Sequence, residues 1–180
     1  MNAIVASNSV LVLVDYQQRL LPAIHRSEQV VAEATRLADA ARVLGIRVLG
    51  TEQNPAGLGP NVEAIRKRCD STLAKTHFDA CEEGLLEALG DAREVVIAGC
   101  EAHVCLLQTT LGLLRAGRRL WVVGPACGSR SSADHELAMQ RLQCAGAVIV
   151  SPEMVAFEWL HDCRHESFKA VLQMYKTRIE

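Results

Sequence analysis

The stretch Val10-Leu-Val-Leu-Val14-Asp15 decides the fold. Five aliphatic residues without a polar break read as a strand covered on both faces, because neither face has to alternate toward water. Working outward, Glu94-Val-Val-Ile-Ala98, closed by Gly99, has the same character, as do Arg119-Leu-Trp-Val-Val123 and Ala147-Val-Ile-Val150. Arg47–Thr51 is a further strand, and Leu73–Lys75 a short extended piece. Between them lie helical patterns over Glu28–Leu44, Glu82–Leu89, His103–Ala116 and Ala133–Ala145, and Gly45, Gly117 and Gly146 act as stops. The segment from Glu52 to Pro60 carries two prolines and two glycines and reads as a loop. His165–Thr177 reads as an amphipathic tail helix through Phe168, Val171, Leu172 and Tyr175. Strand alternating with helix implies an α/β fold with a parallel sheet and helices on both faces.

The chain has 180 residues with no repeat, linker or low-complexity run, so residues 1–180 are expected to form a single domain. Half the residues are hydrophobic and 22% charged, which excludes a disordered chain. A net charge of −2 and 4% aromatic residues give no electrostatic or stacking basis for nucleic acid as a partner. The seven cysteines are odd in number and contain no CxxC. The opening MNAIVASNSV lacks a basic region and a long apolar region, and no apolar run approaches the ~20 residues of a membrane span. A cytoplasmic protein with free thiols and no membrane partner is the expectation.

In a parallel sheet, ligands bind at the carboxyl ends of the strands. Asp15 closes the most hydrophobic strand, Lys75 follows Ser71-Thr-Leu-Ala74, and Cys105 lies six residues beyond Gly99 at the start of the next helix. Singly, each has an ordinary reading: a turn-forming carboxylate, a solvated lysine, a core thiol. Together they meet one another's chemical needs. A cysteine attacks as thiolate, and a helix start or a nearby cation lowers its pKa from about 8.5. A carboxylate can take the thiol proton and later pass it to a leaving amine. Spacing alone does not bring the three together.

The segments Leu11-Val-Leu-Val-Asp15-Tyr-Gln17, Thr51-Glu-Gln-Asn-Pro-Ala-Gly-Leu-Gly-Pro60, Ala74-Lys75-Thr-His-Phe78, Val96-Ile-Ala-Gly-Cys-Glu-Ala-His-Val-Cys105 and Val123-Gly-Pro-Ala-Cys127-Gly-Ser-Arg-Ser131 fall in one order. That ordered set resembles the isochorismatase-like cysteine hydrolases, the group that includes nicotinamidases and N-carbamoylsarcosine amidase. The Thr-Glu-Gln and Glu-Ala-His-Val-Cys pieces look closest to its isochorismatase domain-containing branch.

The resemblance implies a single-domain, Rossmann-like, three-layer α/β/α fold with a mostly parallel six-stranded sheet. It implies Asp15 as general base, Lys75 as the residue holding charge at the site, and Cys105 as nucleophile. It further implies a non-proline cis peptide near Glu101–Ala102, turning the Ala102 N–H inward beside that of Cys105 as an oxyanion hole. Gln17, Gln53, His77, Phe78, Glu101 and His103 are the candidate pocket-lining residues.

The chain also departs from its relatives. The loop Thr51-Glu-Gln-Asn-Pro55 contains no histidine, so the metal ligands of nicotinamidases have no counterpart there. Isochorismate-cleaving enzymes commonly lack the cysteine present here, and Ala102 stands where threonine is common. The resulting expectation is a metal- and cofactor-free cysteine hydrolase of a small amide-type substrate, assembled as a homo-oligomer of two or more copies. The alternative is a catalytically silent oligomeric scaffold. Two further segments carry weaker signals. His161-Asp-Cys-Arg-His165 resembles a zinc helix, although a solvated helix surface explains it as well. Ser129, Arg130 and Ser131 suit either an anionic substrate group or a helix cap.

Overall fold

The computed structural model describes residues 3–176. Its strands are β1 (Ser9–Val14), β2 (Arg47–Gln53), β3 (Ser71–Lys75), β4 (Glu94–Gly99), β5 (Arg119–Val123) and β6 (Val148–Val150). Its helices are α1 (Ser27–Val43), α2 (Pro55–Leu58), α3 (Glu63–Arg66), α4 (Leu85–Leu89), α5 (Leu107–Arg115), α6 (Ser132–Cys144), α7 (Pro152–Leu160) and α8 (Phe168–Lys176).

The six strands form one sheet in the order β3-β2-β1-β4-β5-β6, and every pairing is parallel. The expected architecture is present, with an all-parallel sheet in place of a mostly parallel one. The two runs buried along their whole length, β1 and β4, lie side by side at its centre. From β1 the chain steps outward to β2 and β3; from β4 it steps the opposite way. Right-handed crossovers therefore put α1 on one face and α5 and α6 on the other. Helices α7 and α8 complete the first layer by packing on α1. The strand order reverses between β1 and β4, and in such sheets the crevice opens at the carboxyl ends beside that reversal.

Several elements differ from the sequence reading, each for a local reason. Strand β2 runs on to Gln53 because β3 pairs with it there, Glu52 opposite Ala74 and Gln53 opposite Lys75. The loop that follows holds the single turn α2, with Pro55 at its start. The helical pattern at 82–89 splits at Gly84, whose φ of 97° breaks it into a tight turn, Ala80–Glu83, and α4. The helix expected from His103 opens instead with a wide π-type turn, Ala102–Leu106, before α5 begins. Helix α7 was not expected. Ser151 caps it by accepting from the Met154 N–H at 3.2 Å, and Val155, Ala156, Trp159 and Leu160 form its buried stripe, but the apolar Met154 and Phe157 on the outer face blur that stripe in the sequence. The tail helix is α8, and Thr177 lies outside the described residues. Among the described residues no helix is long and apolar enough to cross a membrane.

The centre of the sheet is tight. A methyl group at Gly99 would stand 2.4 Å from the Val14 carbonyl oxygen and 2.5 Å from Val14 Cβ. Both neighbours belong to strand β1, which is hydrogen-bonded on either side and has no room to retreat. Gly99→Ala should therefore lower stability by about 1–3 kcal/mol or more. Urea titration should show a lower midpoint with an unchanged slope.

Candidate active site

Three neighbouring strand ends supply the site. The chain leaves β1 at Asp15 with a left-handed φ of 55°, a conformation that Asp and Asn tolerate better than most side chains. The Asp15 N–H donates to the Thr51 carbonyl at 3.2 Å, and the Thr51 hydroxyl donates to Asp15 Oδ1 at 2.6 Å. Lys75 ends β3, two strands away, and its Nζ donates to Asp15 Oδ2 at 2.8 Å. Gln53 ends β2 between them. Its Oε1 accepts from Lys75 Nζ at 2.7 Å, while its Nε2 donates to the Thr76 carbonyl at 2.6 Å. The His77 carbonyl is a third acceptor for Lys75, at 3.4 Å.

Both charged side chains are wholly buried. An isolated buried charge is very costly, so the pair persists only because each partner is neutralised and its remaining hydrogen-bonding capacity is largely filled.

Cys105 faces this pair from the turn Ala102–Leu106, its Sγ 3.9 Å from Gln53 Oε1. The structure thus brings Asp15, Lys75 and Cys105 together. It does not give the pre-formed thiolate that a helix start and a cation suggested. Burial, reinforced by the Asp15 carboxylate, pushes the thiol up to about 12, and Lys75 offsets only part of this. The resting thiol is therefore neutral at pH 7, and its proton has to leave as a bond forms at sulfur.

The turn before Cys105 also differs from expectation. The non-proline cis bond is Cys100–Glu101, one bond earlier than Glu101–Ala102. Here Cys100 pairs with Gly128, and the Ala102 N–H donates to the Gly128 carbonyl at 2.7 Å. That donor is engaged by the neighbouring segment in this structure. Among the described residues the Glu101 N–H makes no backbone hydrogen bond.

Of the expected lining residues, Gln53 lies against the thiol. Gln17 is a buried brace: its Nε2 donates to the Gln53 and Gly59 carbonyls, and its Oε1 accepts from the Gln53 N–H. The His77 ring is mostly exposed and paired with Glu83. Half of Phe78 is exposed, and its carbonyl accepts from the Thr109 hydroxyl at 3.2 Å. The Glu101 carboxylate accepts from Arg130 at 2.7 Å, and His103 Nδ1 lies 3.0 Å from the Ser129 hydroxyl. Ser131 caps α6 by accepting from the Asp134 N–H.

Thr51 was not singled out by the sequence reading, although it opens the Thr-Glu-Gln segment; a threonine at a strand end carries no signal until its carboxylate partner is known. Helix α7 stops at Leu160 and His161 has a φ of 60°, so His161 and His165 do not share a helix face. Among the described residues no group of three or more His, Cys, Asp or Glu is placed to hold a metal.

Comparison with known proteins follows the same lines. Residues 9–154 match the isochorismatase domain. Isochorismatase domain-containing protein 2 of Homo sapiens is 35% identical over 175 residues, covering 96% of this chain and 85% of that protein. Its Danio rerio counterpart is 34% identical over 169 residues, covering 92% and 86%. A structure described as the MAR1 ribonuclease of Caenorhabditis elegans superposes with a TM-score of 0.94 at 32% identity, covering 99% of this chain and 95% of that one. The Escherichia coli YcaC gene product, described as an octameric hydrolase of unknown specificity, has the same fold, with a TM-score of 0.85 at 21% identity and coverage of 99% and 98%.

The electrostatics can be tested without a substrate. Asp15→Asn removes a group that raises the Cys105 pKa and leaves Lys75 beside the sulfur. Cys105 should then react faster with iodoacetamide at pH 8, its alkylation midpoint falling below about 12. The unpaired Lys75 should at the same time cost about 3–5 kcal/mol of stability.

Burial also raises the thiols of Cys69, Cys81, Cys100 and Cys127. Groups raised in the folded state hold protons that the unfolded chain releases near pH 8.5, so their contribution is complete below that pH and is lost above it. Chemical denaturation should show stability falling steadily from about pH 8.5 upward.

Proposed function

The chain belongs to the isochorismatase family, and on that premise we propose that it hydrolyses an amide-type C–N bond of a small molecule, without a metal, through a thioester at Cys105. The observation that carries this reading is the wholly buried Lys75–Asp15 pair set against the Cys105 thiol.

In this mechanism the sulfur attacks the carbonyl carbon as the thiol proton passes to Asp15. Coupling the two events suits a thiol held near 12, because no free thiolate has to accumulate. The negative charge that develops on the carbonyl oxygen is held by the Glu101 N–H with that of Cys105, each donor contributing about 3 kcal/mol in comparable sites. Collapse breaks the C–N bond, and the leaving amine takes the proton from Asp15. Water then attacks the thioester and gives a proton to Asp15. The second collapse expels the sulfur, which recovers that proton, and releases a carboxylic acid. Lys75 keeps its charge throughout and fixes the carboxylate by their 2.8 Å contact.

The lack of histidine after β2 supports the metal-free form of this reading. The resemblance that motivates the chemistry also motivates assembly into a homo-oligomer. A phosphodiesterase reading, raised by the description of the nematode neighbour as a ribonuclease, has less support. The net charge is −2, and the site offers a buried ion pair and a neutral thiol where RNA cleavage calls for cationic, solvent-facing acid and base groups.

A panel of primary amides, carbamates and esters should reveal turnover that Cys105→Ala abolishes. Acid quenching during turnover should trap a mass adduct on the Cys105 peptide. Turnover that survives Cys105→Ala would overturn the mechanism; no Cys105-dependent turnover across the panel, together with a defined protein partner, would favour a scaffold.

A further inference from the structure

Glu83 lies outside the catalytic group, at the end of the tight turn Ala80–Glu83. Its carboxylate nevertheless gathers the hydrogen-bond donors of the two residues that follow Lys75. It accepts from the Thr76 N–H at 2.9 and 3.0 Å, the Thr76 hydroxyl at 2.7 Å and the His77 N–H at 2.7 Å, and it also contacts His77 Nδ1. These bonds hold it down to about 2, the His77 N–H contributing most and the Thr76 hydroxyl next. The carboxylate is therefore ionised throughout the neutral range.

With their donors turned out toward Glu83, Thr76 and His77 present their carbonyls inward. The Thr76 carbonyl accepts from Gln53 Nε2 at 2.6 Å, and the His77 carbonyl accepts from Lys75 Nζ at 3.4 Å. Gln53 is an uncharged side chain that touches both Lys75 and the thiol, and its amide has two ends of opposite polarity. Only one orientation serves. If the amide were reversed, its NH₂ would face the Lys75 ammonium and its oxygen would face the Thr76 carbonyl. The fixed Thr76 carbonyl therefore selects the orientation.

The same turn is tied to the helix that follows Cys105. The Ala80 N–H donates to the Thr109 hydroxyl at 3.1 Å, and Arg115 pairs with Asp79 at 2.9 Å.

We propose that Glu83 is a positioning residue for the Cys105 site: it clamps the Thr76–His77 turn so that Gln53 presents its amide oxygen to Lys75 and the nucleophile. The kinetic part of this proposal rests on the hydrolase reading above, whereas its structural part stands on the hydrogen bonds alone.

The test is a double-mutant cycle between Glu83 and Gln53. Glu83→Ala should lower kcat for Cys105-dependent hydrolysis by about 10²-fold, the order lost when a reacting group shifts by about 1 Å. KM should change much less, and Glu83→Gln, which keeps one acceptor oxygen, should fall between. On a Gln53→Ala background, Glu83→Ala should add less than about twofold, because both changes remove the same constraint. Thermal unfolding of each variant controls for general loss of structure.

A second readout needs no substrate: the rate of iodoacetamide labelling of Cys105 relative to exposed Cys144, which should change with Glu83→Ala and show the same non-additivity. An unaltered kcat in Glu83→Ala, with turnover still dependent on Cys105, would overturn the clamp and leave the hydrolase standing. Full additivity with Gln53→Ala would also overturn it. If no Cys105-dependent turnover exists, the hydrolase reading fails and the labelling cycle alone decides: non-additive change supports the clamp, and an unchanged or additive rate overturns it.

Discussion

The ion pair between Lys75 and Asp15 is the constraint around which the carboxyl edge of the sheet is arranged. Two opposite charges removed from water gain from each other only if the rest of their hydrogen-bonding capacity is met. One further acceptor for the lysine comes from the end of β2, and one further donor to the carboxylate comes from a threonine on that same strand. The pair thus pins three successive strand ends, β1, β2 and β3, into one register. A slip of one residue in β3 would turn Lys75 to the other face and leave Asp15 as a lone buried charge.

The pair also governs the thiol, in two opposed ways. Asp15 repels the thiolate and Lys75 attracts it, and burial penalises it regardless. The balance favours the neutral form. A thiol protected in this way is slow to react with passing oxidants or electrophiles, because thiolate character sets that susceptibility. In the proposed mechanism it reacts when a bound carbonyl lies close enough for proton loss and bond formation to proceed together.

Much of this was legible in the sequence. Aliphatic runs such as Val10–Val14 and Val95–Ala98 have few readings other than buried parallel strands. Asp15, Lys75 and Cys105 could be picked out because polar groups at such strand ends fall where ligands bind. The remainder depended on contacts between segments distant in sequence. The extension of β2 to Gln53 needs β3 as a partner, and the allocation of the Ala102 N–H needs Gly128 beside it. Glu83 looks like any surface glutamate until the Thr76–His77 turn is folded against it. Helix α7 was missed because its outer face carries the apolar Met154 and Phe157, so residue types alone do not separate that face from the buried stripe of Val155, Ala156, Trp159 and Leu160.

The left-handed backbone at Asp15 has a consequence for how this chain can change over generations. Asparagine and glycine keep that turn without difficulty, and most other replacements meet steric resistance before their chemistry matters. Under the proposed function, a lineage released from selection for hydrolysis would thus have few single-step exits at this position. Loss of the Asp15 carboxylate should be recorded as Asn or Gly at residue 15, accompanied by an apolar or uncharged replacement of Lys75, whose buried ammonium would otherwise be stranded. Paired drift at 15 and 75 would distinguish descendants that kept the fold from those that kept the reaction.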